Sequence, residues 1–272
     1  MNNQQIIPVM TTFDNNYSAP AAVCFYSLLK NSNKDYQYNL YVLNTDITEE
    51  NKVKLRKTIA NFPNAKLEFI NMQGKFEDLF KNTKSKGHYT KEMYYKFLAP
   101  SIFPQYEKII ITDVDVVFMS DISQIYNDFS VEENLYLYGH RLPDRKDNWT
   151  EKFLEKTYEK EWTFEEYSKL NISAGFLVFN LKKMREDDLE TKFVDFAMKN
   201  AYRIKQPEQD TINFICYPLI KYMPFRAVFC SYLYDVYKIA EDFSKSLVYS
   251  ALEIKQTFEN SPPDTISLCN QC

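Results

Sequence analysis

Glycine is nearly absent from this chain. Only four occur in 272 residues, at 74, 87, 139 and 175, so neither a Walker loop nor a Gly-x-Gly-x-x-Gly turn can be assembled. A nucleotide bound here must be held by metal and side chains. Histidine is scarcer still, with His88 and His140 alone. Positive charge is not in excess: 33 basic against 37 acidic residues give a net charge of −4. No basic stretch is interleaved with aromatics either, so nucleic acid is not an expected partner. No apolar run is long enough to span a bilayer, and Met1-Asn2-Asn3-Gln4-Gln5 lacks the features of a secretory signal. The five cysteines (24, 216, 230, 269 and 272) are odd in number and mostly scattered. That fits reduced thiols, and a cytoplasmic location is expected.

What the chain does have is 45% hydrophobic residues, enough for one large domain, with tyrosine and phenylalanine at 21 each. Ile6–Thr12 has the composition of a first strand ending at the polar turn Asp14-Asn15-Asn16. A helix is expected over about Ala19–Leu29, then strands at Tyr38–Leu43 and Lys66–Ile70 on either side of a helix opened by Thr48-Glu49-Glu50. Met93–Ile102 is apolar and aromatic at helical spacing. Further strands are expected at Leu135–Tyr138 and Phe176–Phe179, and a charged helix at Lys183–Lys199. Strands alternating with helices imply an α/β sheet, parallel at least in its first half, whose ligands sit beyond the carboxyl ends of the strands.

Asp113-Val114-Asp115 falls at such an end. The β-branched run Ile109-Ile110-Ile111-Thr112 precedes it and reads as a strand buried on both faces. Strand alternation puts residues two apart on one side, so both carboxylates are expected to converge. Two hard oxygen ligands suit Mg²⁺ or Mn²⁺, and through it a diphosphate. Standing alone, an Asp-x-Asp is more often a solvated strand end.

Five segments in order together resemble family 8 of the retaining glycosyltransferases. They are Thr12–Tyr17, Met93–Pro100, Lys108–Phe118, Ile172–Leu181 and Glu208–Asn213, within a resemblance that covers roughly residues 5–260. It implies a GT-A fold over 1–272: a single Rossmann-like domain with a mixed, mostly parallel central sheet flanked by helices. It also implies Mn²⁺-dependent transfer of galactose or glucose from a UDP-sugar to a glycan acceptor, with retention at the anomeric carbon.

Residue by residue, Thr12, Asp14, Asn16 and Tyr17 resemble the segment that holds uridine, with Tyr17 stacking on the base; packing at a helix start is the plainer role. Asp113 and Asp115, with Val114 between them, resemble the motif that binds the metal and diphosphate. Ser173-Ala174-Gly175 resembles the turn before a strand lining the donor sugar. Gly175 there either permits a close backbone approach or marks a β-bulge. Gln209 and Asp210 resemble the catalytic pair beside the anomeric carbon, although both also suit a helix start as caps. His88 stands at the family's spacing before Lys96, near the substrates, and Asp144 is the expected acceptor contact.

Two departures stand out. Lys96 takes the place of a usual arginine that contacts donor oxygens, keeping the charge and losing the planar fork. Family members also complete the metal site with a histidine in a C-terminal tail. Here residues 261–272 have lost the resemblance and are read as an atypical tail, truncated or out of frame. Activity is then expected to be impaired, and a degenerate member that only binds sugar nucleotide or a partner is the alternative. The family's basic C-terminal membrane-docking segment is likewise unmatched, so peripheral contact at the inner face of a membrane stays open, as does oligomeric state.

Overall fold

The computed structural model describes residues 4–84, 89–141, 172–204, 206–224, 227–228 and 248–250, the last three as backbone. His88, Asp144 and the atypical tail lie outside the described residues.

The first two strands, β1 (Ile6–Thr12) and β2 (Gln37–Asn44), are joined through the helix α1 (Ser18–Lys30). The helix buries Ala21, Cys24, Phe25, Leu28 and Leu29 against the sheet. Their three- and four-residue spacing makes one apolar face, and each large side chain so buried contributes about 1.5–3 kcal/mol. Helix α2 (Glu49–Ile59) follows. Its N-cap Thr48 accepts from the Asn51 N–H, with Glu49 and Glu50 in the first turn and Arg56 and Lys57 in the last, the charge order its dipole favours. Then come β3 (Ala65–Asn71) and α3 (Glu77–Asn82).

Residues 91–102 are not one α-helix. They form a long 3-10 segment (Lys91–Leu98) that runs into a single turn, α4 (Ala99–Ile102), and Glu92 through Leu98 are all buried. A segment buried on every side has no polar face to hold the helical period, so tertiary packing sets its conformation.

The chain continues through β4 (Lys108–Thr112), β5 (Val116–Phe118), α5 (Ser123–Asp128) and β6 (Leu137–Arg141). After the undescribed stretch come β7 (Ile172–Asn180), α6 (Leu181–Glu186), α7 (Leu189–Asn200), α8 (Pro207–Cys216), β8 (Ile220–Tyr222) and β9 (Val248–Ser250). The single charged helix expected over 183–199 is two helices, α6 and α7. The chain breaks between them at Asp188, whose φ of 51° is left-handed and cannot continue a right-handed helix.

Seven strands form one sheet in the order β3-β2-β1-β4-β7-β6-β8, and β5 pairs separately with β9. β3, β2, β1 and β4 run parallel, while β7 is antiparallel to both β4 and β6. This is the mixed, mostly parallel sheet of a GT-A fold. One apolar core lies under α1 and α2; the other packs the 3-10 segment, α7 and α8 against the opposite face. Among the described residues no helix is long and apolar enough to cross a membrane.

The reversal at β7 positions the site, because the start of β7 meets the carboxyl end of β4. Thr112 pairs with Phe176, and beyond it Asp113 N–H donates to Gly175 C=O at 2.9 Å. On its other side β7 bulges. Gly139 of β6 pairs with Leu177 and Arg141 with Ile172, so His140 alone faces the four residues 173–176. A bulge of this size re-aims the backbone, here towards Asp113.

Candidate functional site

Beyond the carboxyl ends of β1 and β4 lies a cleft of about 130 Å³, open to solvent. It is lined by Thr12, Phe13, Asp14 and Tyr17 on one side, Tyr89, Thr90, Met93 and Lys96 on another, and Asp113, Val114, Asp115 and Glu208. The two aspartates do not lie on a strand. β4 ends at Thr112, and 113–115 form a bend before β5. Strand alternation is therefore not what brings them to one cleft; the turn out of the sheet does so.

Lys96 underlies this floor. Its side chain is 1% exposed, and the ammonium donates to Asp113 Oδ1 at 2.7 Å, to Ala174 C=O at 3.2 Å and to Glu208 Oε1 at 3.5 Å. An ammonium has three protons, and these contacts account for all of them. Burial alone would lower the lysine's pKa, but Asp113 and then Glu208 outweigh it and hold the group above its ordinary value. Lys96 is thus a fixed cation inside the protein, its charge reaching the cleft through the two carboxylates it holds. Glu208 is itself buried, and its Oε2 has no hydrogen-bond partner among the described residues. The Cys24 thiol below is pushed up by burial, then by Asp115 and Asp113. It stays protonated, donating to Asp113 C=O at 3.8 Å.

The opposite wall is the turn after β1. Asp14 Oδ1 accepts from the N–H groups of Asn16 (2.9 Å) and Tyr17 (3.3 Å), capping a 3-10 turn over Asn15–Tyr17. Tyr17 is presented to the cleft and also packs against the core beside it. Asn16 is not among the lining residues; its amide donates to Asp14 Oδ2 at 3.3 Å. On the third wall, burial and then the charges of Glu208, Asp210 and Asp113 push the Tyr89 phenol up to about 12, which keeps it a neutral hydroxyl near pH 7.

Ser173, Ala174 and Gly175 lie within β7, in its bulge, rather than in a turn before the strand. Both expectations for Gly175 hold together: a Cβ built there would stand 3.3 Å from Asp113 Oδ2 and 3.5 Å from Ser173 Oγ. Gln209 supports this backbone, its Oε1 accepting from Ala174 N–H at 3.0 Å and its Nε2 donating to Gln206 Oε1 at 2.6 Å. Asp210 is buried and its Oδ2 accepts from the Gln206 N–H, four residues back at the start of α8, at 3.2 Å. Gly175→Ala is expected to cut any activity of this cleft about tenfold by pushing Asp113 aside, with under about 1 kcal/mol of lost stability. Initial rates and thermal unfolding measured together check this, and an unchanged rate would refute it.

Seven of the expected residues therefore line one cleft: Thr12, Asp14, Tyr17, Lys96, Asp113, Val114 and Asp115. Ser173 through Gly175, Gln209 and Asp210 stand behind its floor and hold it. Glu208, Tyr89, Thr90, Met93 and Phe13 are the lining residues that sequence reasoning left without a role. Glu208 had a signal, being an acid beside the singled-out pair; Tyr89 had none.

Among the described residues no three His, Cys, Asp or Glu side chains converge as a metal cage. Asp113 and Asp115 are the two carboxylates at the mouth of the floor, and the Asp113 side chain is 39% exposed. One or two carboxylates completed by substrate phosphate oxygens is an ordinary donor set for Mg²⁺, and oxygen donors suit Mn²⁺ equally. The residues present fit a divalent ion shared with a diphosphate.

Comparison with known proteins places residues 8–248 on the model described as Glycosyl transferase family 8. A Haemophilus influenzae protein named as a glycosyltransferase is 27% identical over 220 residues, covering 80% of this chain and 62% of the relative. The chain thus spans about three fifths of that relative's length. Among solved structures, the galactosyltransferase LgtC in complex with donor and acceptor sugar analogs superposes with a TM-score of 0.69 at 17% identity, over 90% of this chain and 86% of that one. The WbbM bifunctional glycosyltransferase gives 0.67 at 19%, over 92% and 46%. At these identities the structural matches speak for the fold alone.

Proposed function

We propose, from the premise that this chain belongs to glycosyl transferase family 8, that it moves a hexose, galactose or glucose, from a UDP-sugar to a hydroxyl of a glycan, with retention at the anomeric carbon. The observation that carries this reading is the cleft itself. It places an aspartate pair opposite the turn that presents Asp14 and Tyr17, at the strand ends where an α/β sheet binds its ligands. That LgtC was solved with donor and acceptor sugar analogs supports the same substrate classes here.

In this reading Tyr17 stacks on the uracil while Thr12 and Asp14 face the ribose side. Asp113 and Asp115 are the residues that would hold Mn²⁺, or Mg²⁺. The ion, when bound, supplies Lewis-acid neutralisation of the leaving group. Lys96 holds Asp113 and Glu208 at fixed positions, so the acids need no reorganisation when the substrate arrives. Gln209 carries an amide, a poor nucleophile, and its oxygen is engaged by Ala174 N–H. Front-side displacement is therefore favoured over a covalent intermediate. The acceptor oxygen bonds to the anomeric carbon as the bond to the UDP oxygen breaks, and a phosphate oxygen of UDP takes the acceptor's proton.

Calorimetric titration of UDP with Mn²⁺, repeated in EDTA, tests this, followed by a screen of UDP-sugars. Binding that requires the metal and release of UDP from UDP-galactose or UDP-glucose are expected. Metal-independent or absent binding would sink the reading in favour of a degenerate member.

A further inference from the structure

Asn15 stands at the centre of the turn that carries Asp14 and Tyr17, yet it is not among the residues lining the cleft. Its polar groups are directed to the connection between β2 and α2. The Asn15 N–H donates to Asp46 Oδ1 at 3.0 Å. Its side-chain oxygen accepts from the Thr48 N–H at 3.0 Å and from Asn51 Nδ2 at 2.9 Å. The Asn15 carbonyl accepts from Ser18 Oγ at 2.8 Å, which ties the turn to the start of α1. One side chain therefore joins the turn after β1 to the cap of α2, where parallel pairing of Thr12 with Leu43 has already set the two connections side by side.

Within the turn itself, Asp14 caps the Asn16 and Tyr17 N–H groups, and the Ser18 contact just described ties it to α1. Asn15 adds to these a tie from the turn to the β2–α2 connection. Resting on the proposed function, we infer that Asn15 is a positioning residue for the nucleotide. By tethering the turn to α2 it sets where Asp14 and Tyr17 meet the nucleoside, without touching the ligand. Ordering a loop before binding removes an entropic penalty from binding itself. The loss of the latch should therefore appear in donor affinity and hardly in the rate at saturation.

Asn15→Ala is expected to weaken UDP binding in Mn²⁺, and to raise the donor KM, about tenfold with kcat changed less than about twofold. Asn15→Asp keeps an acceptor for Thr48 and Asn51 at the cost of some repulsion from Asp46, and should return affinity to within about threefold of the parent. Hydrogen exchange at the Asn16 and Tyr17 amides gives a readout that needs no ligand: it should quicken in Asn15→Ala and recover in Asn15→Asp. Unchanged exchange, or UDP affinity equal to the parent, overturns the inference. So does a fall in kcat at unchanged KM. Failure of the parent protein to bind UDP would instead strike the proposed function, and with it the role given to Asn15; the exchange result distinguishes a tethered turn from a tethered nucleotide site.

Discussion

Asp113→Asn is expected to reduce sugar transfer about a thousandfold or more, roughly 4 kcal/mol of transition-state stabilisation. The replacement is nearly isosteric and leaves an oxygen for Lys96, so the geometry around the ammonium survives. What disappears is one of two negative charges available to a divalent ion. Stability should hardly change. In the parent, one buried cation faces the carboxylates of Asp113 and Glu208; in the variant it keeps Glu208, and no charge is left without a counterpart. Rates of UDP release with Mn²⁺, measured alongside thermal unfolding, separate the two effects. Retention of more than about a tenth of the parent rate would exclude Asp113 from the site's chemistry.

Lys96→Met carries the second large effect, and it falls on the fold as well as on activity. Removing one partner of a buried ion pair typically costs about 3–5 kcal/mol, because the surviving charge stays desolvated. The lower end, about 3 kcal/mol, is expected here, since Asp113 is more than a third exposed and water can take over part of its stabilisation. Glu208 has less relief, being buried. Chemical denaturation would show the loss, and a midpoint equal to the parent's would refute it. Lys96→Arg keeps the charge but brings a planar fork into a space shaped for one ammonium; a smaller loss in stability is expected. The pH dependence follows from the raised pKa of Lys96. Its stabilising contribution is complete below the unfolded lysine value of about 10.4 and is lost only at higher pH, as the solution passes through the folded value. Across the neutral range the Lys96 contribution is therefore constant.

Much of the frame was legible in the residues. Strands expected at Tyr38–Leu43 and Lys66–Ile70 run as Gln37–Asn44 and Ala65–Asn71, because β-branched and aromatic runs bounded by polar turns leave few alternatives. The cleft's position at the carboxyl ends of β1 and β4 followed from the alternation of strands and helices. Gly175 could be singled out because glycine is so rare here. The depth of Lys96 could not. Nothing in an aromatic segment announces that its one lysine is sealed at 1% exposure, and an exposed donor contact was the natural expectation. Glu208, Gln209 and Asp210 are consecutive, so which of them turns into the cleft depends on the phase of α8. Packing sets that phase, and local sequence does not encode it. The split of the charged helix at Asp188 escaped for a related reason, since a single left-handed residue interrupts no hydrophobic pattern.

The antiparallel return of β7 has a consequence for how the protein is made. Lys96 and Asp113 lie in the part synthesised first, whereas Ala174 and Glu208 join them from 78 and 112 residues beyond Lys96. At about 5–20 residues per second, the ribosome needs roughly 5–20 s to travel from Asp113 to Glu208. Through that interval the nascent sheet of β3, β2, β1 and β4 can carry the turn of Asp14 and Tyr17 and a lysine neutralised by a single aspartate. Only when β7 reverses along β4 and α8 docks does a second buried carboxylate reach the same ammonium. Glu208, the fourth carboxylate of the cleft, is therefore the late arrival, and the cleft is completed from the C-terminal side of a half-sheet that already holds the other three.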